Sequence, residues 1–341
     1  MIRVIGWDIG GANVKAAHVL REGDATSVAT VSRPFEIWKD PTGLAKVLRA
    51  IAADLPEAEA TGVTMTAELS DVFRTKREGV TFILDAMGAV ARGRLAVFTT
   101  DGVFVNDAEA RARPLAVAAS NWMATAVLVA RHVTDALLVD IGTTTTDVVP
   151  IQGGRVVARG RTDPERLLAG ELVYTGTVRT NVAAIVARVP LWGGECPVAA
   201  EYFAVSGDAH LLLGDLDPAA YTASTPDGGA PTAAGAAERL ARVVCADVEM
   251  LTAGEILAIA RAVADAQVRE IAAAIHRVAA ALSGPVEVIA TGLGAFLAHR
   301  AAARAGLSSR DLNDVLHVDV GWAAPAAAIA WLLADTWTPA P

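Results

Sequence analysis

Two carboxylates stand at the ends of apolar, strand-like runs, each followed at once by a glycine turn. The first is Asp8 in Asp8-Ile9-Gly10-Gly11-Ala12-Asn13; the second is Asp140 in Asp140-Ile141-Gly142-Thr143-Thr144-Thr145-Thr146-Asp147. Aspartate is depleted in strands and costly to bury alone, so a strand that ends in one is expected to aim it at a partner. Glycines in the turn leave backbone N–H groups free to converge on an anion such as phosphate. Lys15 is placed to neutralise one phosphate oxygen, and the hydroxyls of Thr143, Thr144 and Thr145 to donate to others. Gly10, Gly11, Asn13, Lys15, Gly142 and the three threonines are therefore candidate phosphate ligands. A single Asp-x-Gly-Gly turn is equally well a plain hairpin; its recurrence favours binding. Mg2+ is the metal expected, held by Asp8 and Asp140, because it takes few carboxylates and keeps waters and phosphate oxygens.

Three other segments carry reactive groups. Thr291-Gly292-Leu293-Gly294 reads as a strand-to-helix turn, so Gly292 and Gly294 could present amides to a further anion or simply allow close packing. Thr66-Ala67-Glu68-Leu69-Ser70-Asp71 follows a strand-like run, where ligand sites of α/β proteins gather; Glu68 is a candidate base and Asp71 a candidate substrate anchor, against ordinary capping roles. Gly170-Glu171-Leu172-Val173-Tyr174-Thr175-Gly176, followed by Arg179, offers Glu171 as a second candidate base and Tyr174 and Arg179 as a wall for an organic substrate. The six histidines have no metal-like spacing, and Cys196 and Cys245 lie far apart, as reduced thiols would.

These groups need elements to hold them. Ile2 to Ile9, Val14 to Leu20 and Ala25 to Val31 alternate in period two, with a polar turn through Gly23-Asp24, which predicts a three-strand meander. Ala136 to Ile141, Asp147 to Ile151 and Val156 to Gly160 repeat the design 132 residues later, and an internal duplication is the natural explanation. Helix and strand patterns alternate between the meanders. Helices are expected again from Ala236 to Leu282, with a Thr252-x-x-Glu255 capping box restarting the second, then a strand at Val286 to Ala290, a helix through Ala305, a strand near Val315 to Val318 and a helix from Ala323 to Leu333. The expectation is an α/β protein of two lobes with a cleft between them, 1–130 and 131–341, with a Gly- and Pro-rich, substrate-shaping insertion at about 161–235.

The composition narrows the partners. At 341 residues and a formal net charge of −9, with no Lys/Arg tract, the chain is not built for nucleic acid or anionic membranes. Its apolar stretches are too short to span a bilayer, and no secretory signal pattern is evident, so a cytoplasmic location is expected. Gly-x-x-x-x-Gly-Lys-Ser/Thr and a complete Gly-x-Gly-x-x-Gly are both missing. Small anionic molecules are the expected ligands; oligomeric state stays open.

Taken together, these segments resemble the actin, Hsp70 and sugar-kinase superfamily, whose duplicated ribonuclease-H-like lobes close on nucleotide phosphates; two such domains are what the resemblance implies. Asp140 to Asp147 and Gly170 to Thr180 resemble the hydantoinase/oxoprolinase A family. The first loop departs from that family's Asp-x-Gly-Gly-Thr-x-Thr-Asp pattern, with Ala12 and Lys15 where Thr and Asp are expected. It is similar instead to a shorter family linked to tetrahydromethanopterin-dependent one-carbon transfer, whose archaeal members act in methanofuran biosynthesis. The shared segments are Asp8 to Asn13, Thr66 to Leu69, Asn121-Trp122, Asp140 to Asp147, Gly170 to Gly176, Cys245-Ala246-Asp247 and Thr291 to Gly294. This resemblance implies a Mg2+-dependent transferase that joins an aminomethylfuranylmethyl diphosphate to the phenol oxygen of a tyramine derivative, with release of diphosphate. An ATP-dependent kinase or a hydantoinase/oxoprolinase-type ring-opening enzyme is the alternative, using the same loops for ATP; a nucleotide sensor without turnover is a third.

Overall fold

A computed structural model describes residues 1–23 and 25–337. Asp24, expected in the turn between the second and third strands, lies outside the described residues. Six strands form the first sheet: β1 (Ile2–Ile9), β2 (Asn13–Glu22), β3 (Ala25–Pro34), β4 (Ala60–Met65), β5 (Arg94–Phe98) and β6 (Phe104–Val105). Their order is β3-β2-β1-β4-β5-β6. The first three pair antiparallel, as the meander pattern predicts, while β4 runs parallel to both β1 and β5.

The central strand β1 is buried on both faces. Ile5, Trp7 and Ile9 pack with Leu48, Ile51, Met65 and Ile83 on one side, and Val4 joins Val19, Ala60, Ala330 and Leu333 on the other. Each such fully buried side chain contributes about 1.5–3 kcal/mol, enough to fix the register that sends Asp8 to the strand's end.

The second sheet repeats the plan. It comprises β7 (Ala136–Ile141), β8 (Thr146–Gln152), β9 (Arg155–Val156), β10 (Leu172–Val173), β13 (Glu287–Thr291) and β14 (Ser309–Asp311), in the order β10-β8-β7-β13-β14, with β9 also on β8. A separate hairpin joins β11 (Arg188–Leu191) to β12 (Gly194–Pro197). The duplication reaches single hydrogen bonds: Gly10 N–H donates to Asn13 O at 3.0 Å, and Gly142 N–H donates to Thr145 O at 2.9 Å, the same bond 132 residues on. Both sheets therefore carry the ribonuclease-H-like strand order that the resemblance implies.

Two expectations are corrected. The long third strand, Val156 to Gly160, shrinks to β9, which meets β8 at Ile151 and Gln152; β10 occupies the other end of β8, opposite Thr146 and Asp147. The Asp163–Ala169 helix stands between these pieces, so the insertion interrupts the third strand itself. Val315 to Val318 is not a strand. Leu312, Val315 and Leu316 recur at helical spacing, are all buried, and lie in a helix that ends at His317 in a left-handed conformation.

The chain falls into two compact units, Met1–Leu138 with Val149–Ala169 and Asp311–Pro341, and Val139–Val148 with Gly170–Arg310. This differs from a single division at residue 130, because the C-terminal Ala324–Thr336 helix buries its small apolar face on β1 and on the Asn121–Ala130 helix. The Thr252 capping box is present as expected and starts a 27-residue helix, Ala253–Ala279. Among the described residues no helix is long and apolar enough to cross a membrane.

Candidate functional site

In the first unit, β1 and β4 end side by side. Asp8 pairs with Thr64 on β4 and lies directly opposite Lys15 on β2, a cross-strand arrangement that sets the lysine ammonium 3.4 Å from Asp8 Oδ2. Asp8 is 3% exposed, and its Oδ1 has no hydrogen-bond partner. A buried carboxylate oxygen left unpaired is expensive, and here it stands beside the half-open Gly10, Gly11 and Asn13. Beside Gly11 the nearest neighbour a Cβ would meet is the Trp38 ring, 4.0 Å away; nothing within the chain requires glycine there.

One turn beyond β4, Glu68 is 1% exposed, and neither of its carboxylate oxygens has a hydrogen-bond partner. Its nearest cation is Lys76, 3.5 Å from Oε1. Burial pushes the Glu68 carboxyl up to about 7, and the Lys76 charge only partly opposes this. Lys76 itself is gripped by Asp163 at 2.7 Å. Asp71, the candidate anchor, is exposed on the loop that follows.

In the second unit three segments are bound to one another through their backbones. Thr177 N–H donates to Gly142 O (3.0 Å), Val178 and Arg179 N–H groups both donate to Thr143 O (3.1 and 2.9 Å), and Gly294 N–H donates to Ile141 O (2.9 Å). Gly292 has φ +86°, and a Cβ there would meet Asp140 Oδ1 at 2.5 Å, so this glycine is needed for both its conformation and the closeness of the turn to the aspartate. Gly176 lies against the loop backbone, where a Cβ would come within 2.5 Å of the Thr144 nitrogen and carbonyl carbon.

The structure thus gathers Asp140, Gly142, Thr143, Thr144, Gly292 and Gly294, as the sequence suggests, and adds two residues to them. Arg179, a candidate for the wall of an organic pocket, donates from Nη1 to Thr144 Oγ1 at 3.2 Å, on the turn that follows Asp140. Thr177 is buried beside Gly294, with its hydroxyl unpartnered. Glu171, just before β10, is buried, its carbonyl accepting from Val148 N–H, while Tyr174 is 58% exposed.

Lys76, Asp163, Thr177 and Gln267 escaped the reading of the sequence. Gln267 sits mid-helix, fully buried, donating to Thr175 Oγ1 (2.8 Å) and Gly176 O (3.0 Å). Only its polarity within an apolar helical stripe marked it. The Lys76–Asp163 contact joins residues 87 apart and had no local signal.

Comparison with known proteins follows this geometry. Residues 59–336 match the family model Hydantoinase/oxoprolinase. The chain belongs to that family. Within it, the chain is 34% identical over 333 residues to (4-{4-[2-(gamma-L-glutamylamino)ethyl]phenoxymethyl}furan-2-yl)methanamine synthase of Methanocaldococcus jannaschii, covering 97% of this chain and 98% of that protein. The synthase of the same name from Methanococcus vannielii is 36% identical over 124 residues, which is 36% of this chain and 55% of that protein. Among solved structures, a PilM–PilN type IV pilus biogenesis complex shares the fold at a TM-score of 0.52, with 14% identity and coverage of 97% and 98%.

Proposed function

We propose that this member of the hydantoinase/oxoprolinase family is a transferase that joins an aminomethylfuranylmethyl diphosphate to the phenol oxygen of a tyramine derivative and releases diphosphate, as a step in methanofuran biosynthesis. The observation that carries this reading is the near-full-length similarity to a synthase whose printed product contains that phenoxymethylfuran ether. The chemistry of the loops agrees with it.

In the reaction a C–O bond to the phenol forms as the C–O bond to diphosphate breaks. The phenol loses a proton, and the leaving group gains an electron pair. Lys15 in the first unit is suited to a phosphate oxygen whose charge grows, and so, in the second, are the hydroxyls of Thr143 to Thr145 with Arg179, which the backbone bonds described above fix beforehand. Glu68, held near pH 7 by burial, accepts the phenol proton. Glu171 is the second buried glutamate that could serve as base.

Magnesium fits the donors present. Asp8 offers an unpaired buried oxygen, a single carboxylate donor of the kind that suits an ion carried largely by phosphate oxygens and water. When bound, it supplies positive charge against the departing diphosphate. Exclusion of water from the reacting carbon is the remaining requirement, since water competes with the phenol.

Incubation of the purified protein with magnesium, the furanyl diphosphate and a glutamylated tyramine, with diphosphate and ether measured together, tests the proposal. Equimolar diphosphate and ether are expected. Conversion of ATP to ADP with no ether would overturn it in favour of a kinase or ring-opening activity, and nucleotide binding without any product would favour a sensor.

A further inference from the structure

Glu68, Lys76 and Asp163 form a chain of alternating charge within the first unit. Thr75 accepts from Glu78 N–H at the start of the Lys76–Gly88 helix, which places Lys76 in the first turn with its side chain toward the turn that carries Glu68. The helix approaches that turn so closely that a Cβ on Gly79 would lie 2.6 Å from the Glu68 Cα, and the carboxylate beside it is 1% exposed. Asp163 arrives from the helix that interrupts the second meander and takes the ammonium at 2.7 Å, against 3.5 Å to Glu68.

The ammonium is thus shared unequally between two carboxylates, one partly open to solvent and one sealed. We propose that Lys76 and Asp163 are positioning residues that set the charge carried by Glu68, with Lys76 supplying the cation that lets it ionise and Asp163 drawing that cation away. The proposal rests on the assignment of Glu68 as base.

The charges facing Glu68 are Lys76 from its own side of the unit and Asp163 beyond it; the first favours the carboxylate and the second opposes it. Burial opposes the charge on Lys76, but the Asp163 bond and the Glu68 carboxylate outweigh that and hold the lysine above its ordinary range. Lys76 therefore stays a cation wherever Glu68 titrates. The two substitutions that remove its neighbours' influence must act in opposite directions. Without the ammonium Glu68 keeps its proton to higher pH; without Asp163 the ammonium turns to Glu68, which then ionises at lower pH.

The test follows the Glu68 carboxyl directly, as the protonated C=O infrared band present in the full-length protein and absent from Glu68→Gln, titrated against pH alongside kcat/KM for ether formation. In Lys76→Met the midpoint of the band is expected to rise by about one pH unit or more, and in Asp163→Asn to fall; Lys76→Arg keeps the cation and should stay near the parent. Midpoints that stay put in Lys76→Met or Asp163→Asn, or move in the same direction in both, overturn the inference. If the band moves as expected while the acid limb of kcat/KM does not follow it, the positioning role stands and the base role of Glu68 falls.

Discussion

Adding one methyl group at Gly176 isolates the importance of loop position from every charge in the site. A Cβ there would lie 2.5 Å from the Thr144 nitrogen and carbonyl carbon and 2.7 Å from the Thr143 carbonyl carbon, all of them backbone atoms that no rotamer change can clear. Favourable carbon contact begins near ~3.5 Å, so one partner must withdraw by about 1 Å. Gly176 is the less free to move, because its carbonyl accepts from Ser206 Oγ (2.8 Å) and Gln267 Nε2 (3.0 Å) and its N–H donates to Thr180 Oγ1 (2.9 Å). The Thr143-Thr144 turn is therefore expected to shift. A displacement of that size at a positioned group costs roughly 10²-fold in rate, or about 2.7 kcal/mol of transition-state stabilisation. The overpacking itself should lower stability by about 1–3 kcal/mol. Gly176→Ala is to be assayed by kcat/KM for ether formation and by the thermal shift on adding inorganic diphosphate. Gly254→Ala is the control, because its Cβ would meet only Thr252 Oγ1 at 4.0 Å. Gly176→Ala with kcat/KM within about threefold of the parent and an undiminished diphosphate shift would refute the view that this backbone contact sets the loop.

Asp8→Ala and Asp140→Ala should each lower kcat by ~10²-fold or more while far-UV circular dichroism is unchanged; full activity in either variant removes that aspartate from the mechanism. Burial holds the Glu68 carboxyl near 7 against 4.5 for an ordinary glutamate, so the stability it lends is fully present below pH 4.5 and is lost as pH rises through 7, a fall of about 3 kcal/mol. Denaturant unfolding should show this decline in the parent and a flatter profile in Glu68→Gln, which should also be inactive. Arg239→Met leaves Asp208 charged and sealed in the second unit, where both side chains are fully buried and 2.7 Å apart, and should cost about 3–5 kcal/mol; the Asp208→Asn, Arg239→Met double variant should recover part of it.

The parts of the fold that follow from short-range pattern were legible in the chain. Alternation marked β1, β2, β7 and β8, the glycine turns marked the strand ends, and the Thr252-Glu255 pair marked the start of the long helix. What the sequence concealed depends on contacts between distant residues. The third strand of the second meander looked continuous, since nothing local shows that β8 gains a different neighbour, β10, at its other end. Leu312 to Leu316 fits either period over so few residues, and burial decides for the helix. In the site, Asp8, Asp140 and the glycines announced themselves by being out of place in strands. Arg179 was marked as a candidate but its target was not, because an arginine after a glycine turn has no preferred partner until Thr144 is seen beside it. Lys76 reads as an ordinary first-turn residue of a helix, and only the position of Asp163 gives it another role.

The two loops share their hairpin bond but not their charge. At the offset of 132 residues, Asp8 corresponds to Asp140 and Lys15 to Asp147, so the first loop carries a carboxylate with an ammonium 3.4 Å away, whereas the second carries two buried carboxylates. Ala12 likewise stands where the second loop has Thr144, the hydroxyl that receives Arg179. The hairpin bond is repeated while the charge is not, and the Lys15–Asp8 pair is an interaction that the second loop lacks. A loop that presents an ammonium can meet phosphate oxygens directly, while the second loop offers threonine hydroxyls and the Arg179 guanidinium beside its two carboxylates. The first loop is where this chain departs from its family's pattern, and under the proposed reaction Lys15 is the residue that departure adds for the leaving diphosphate.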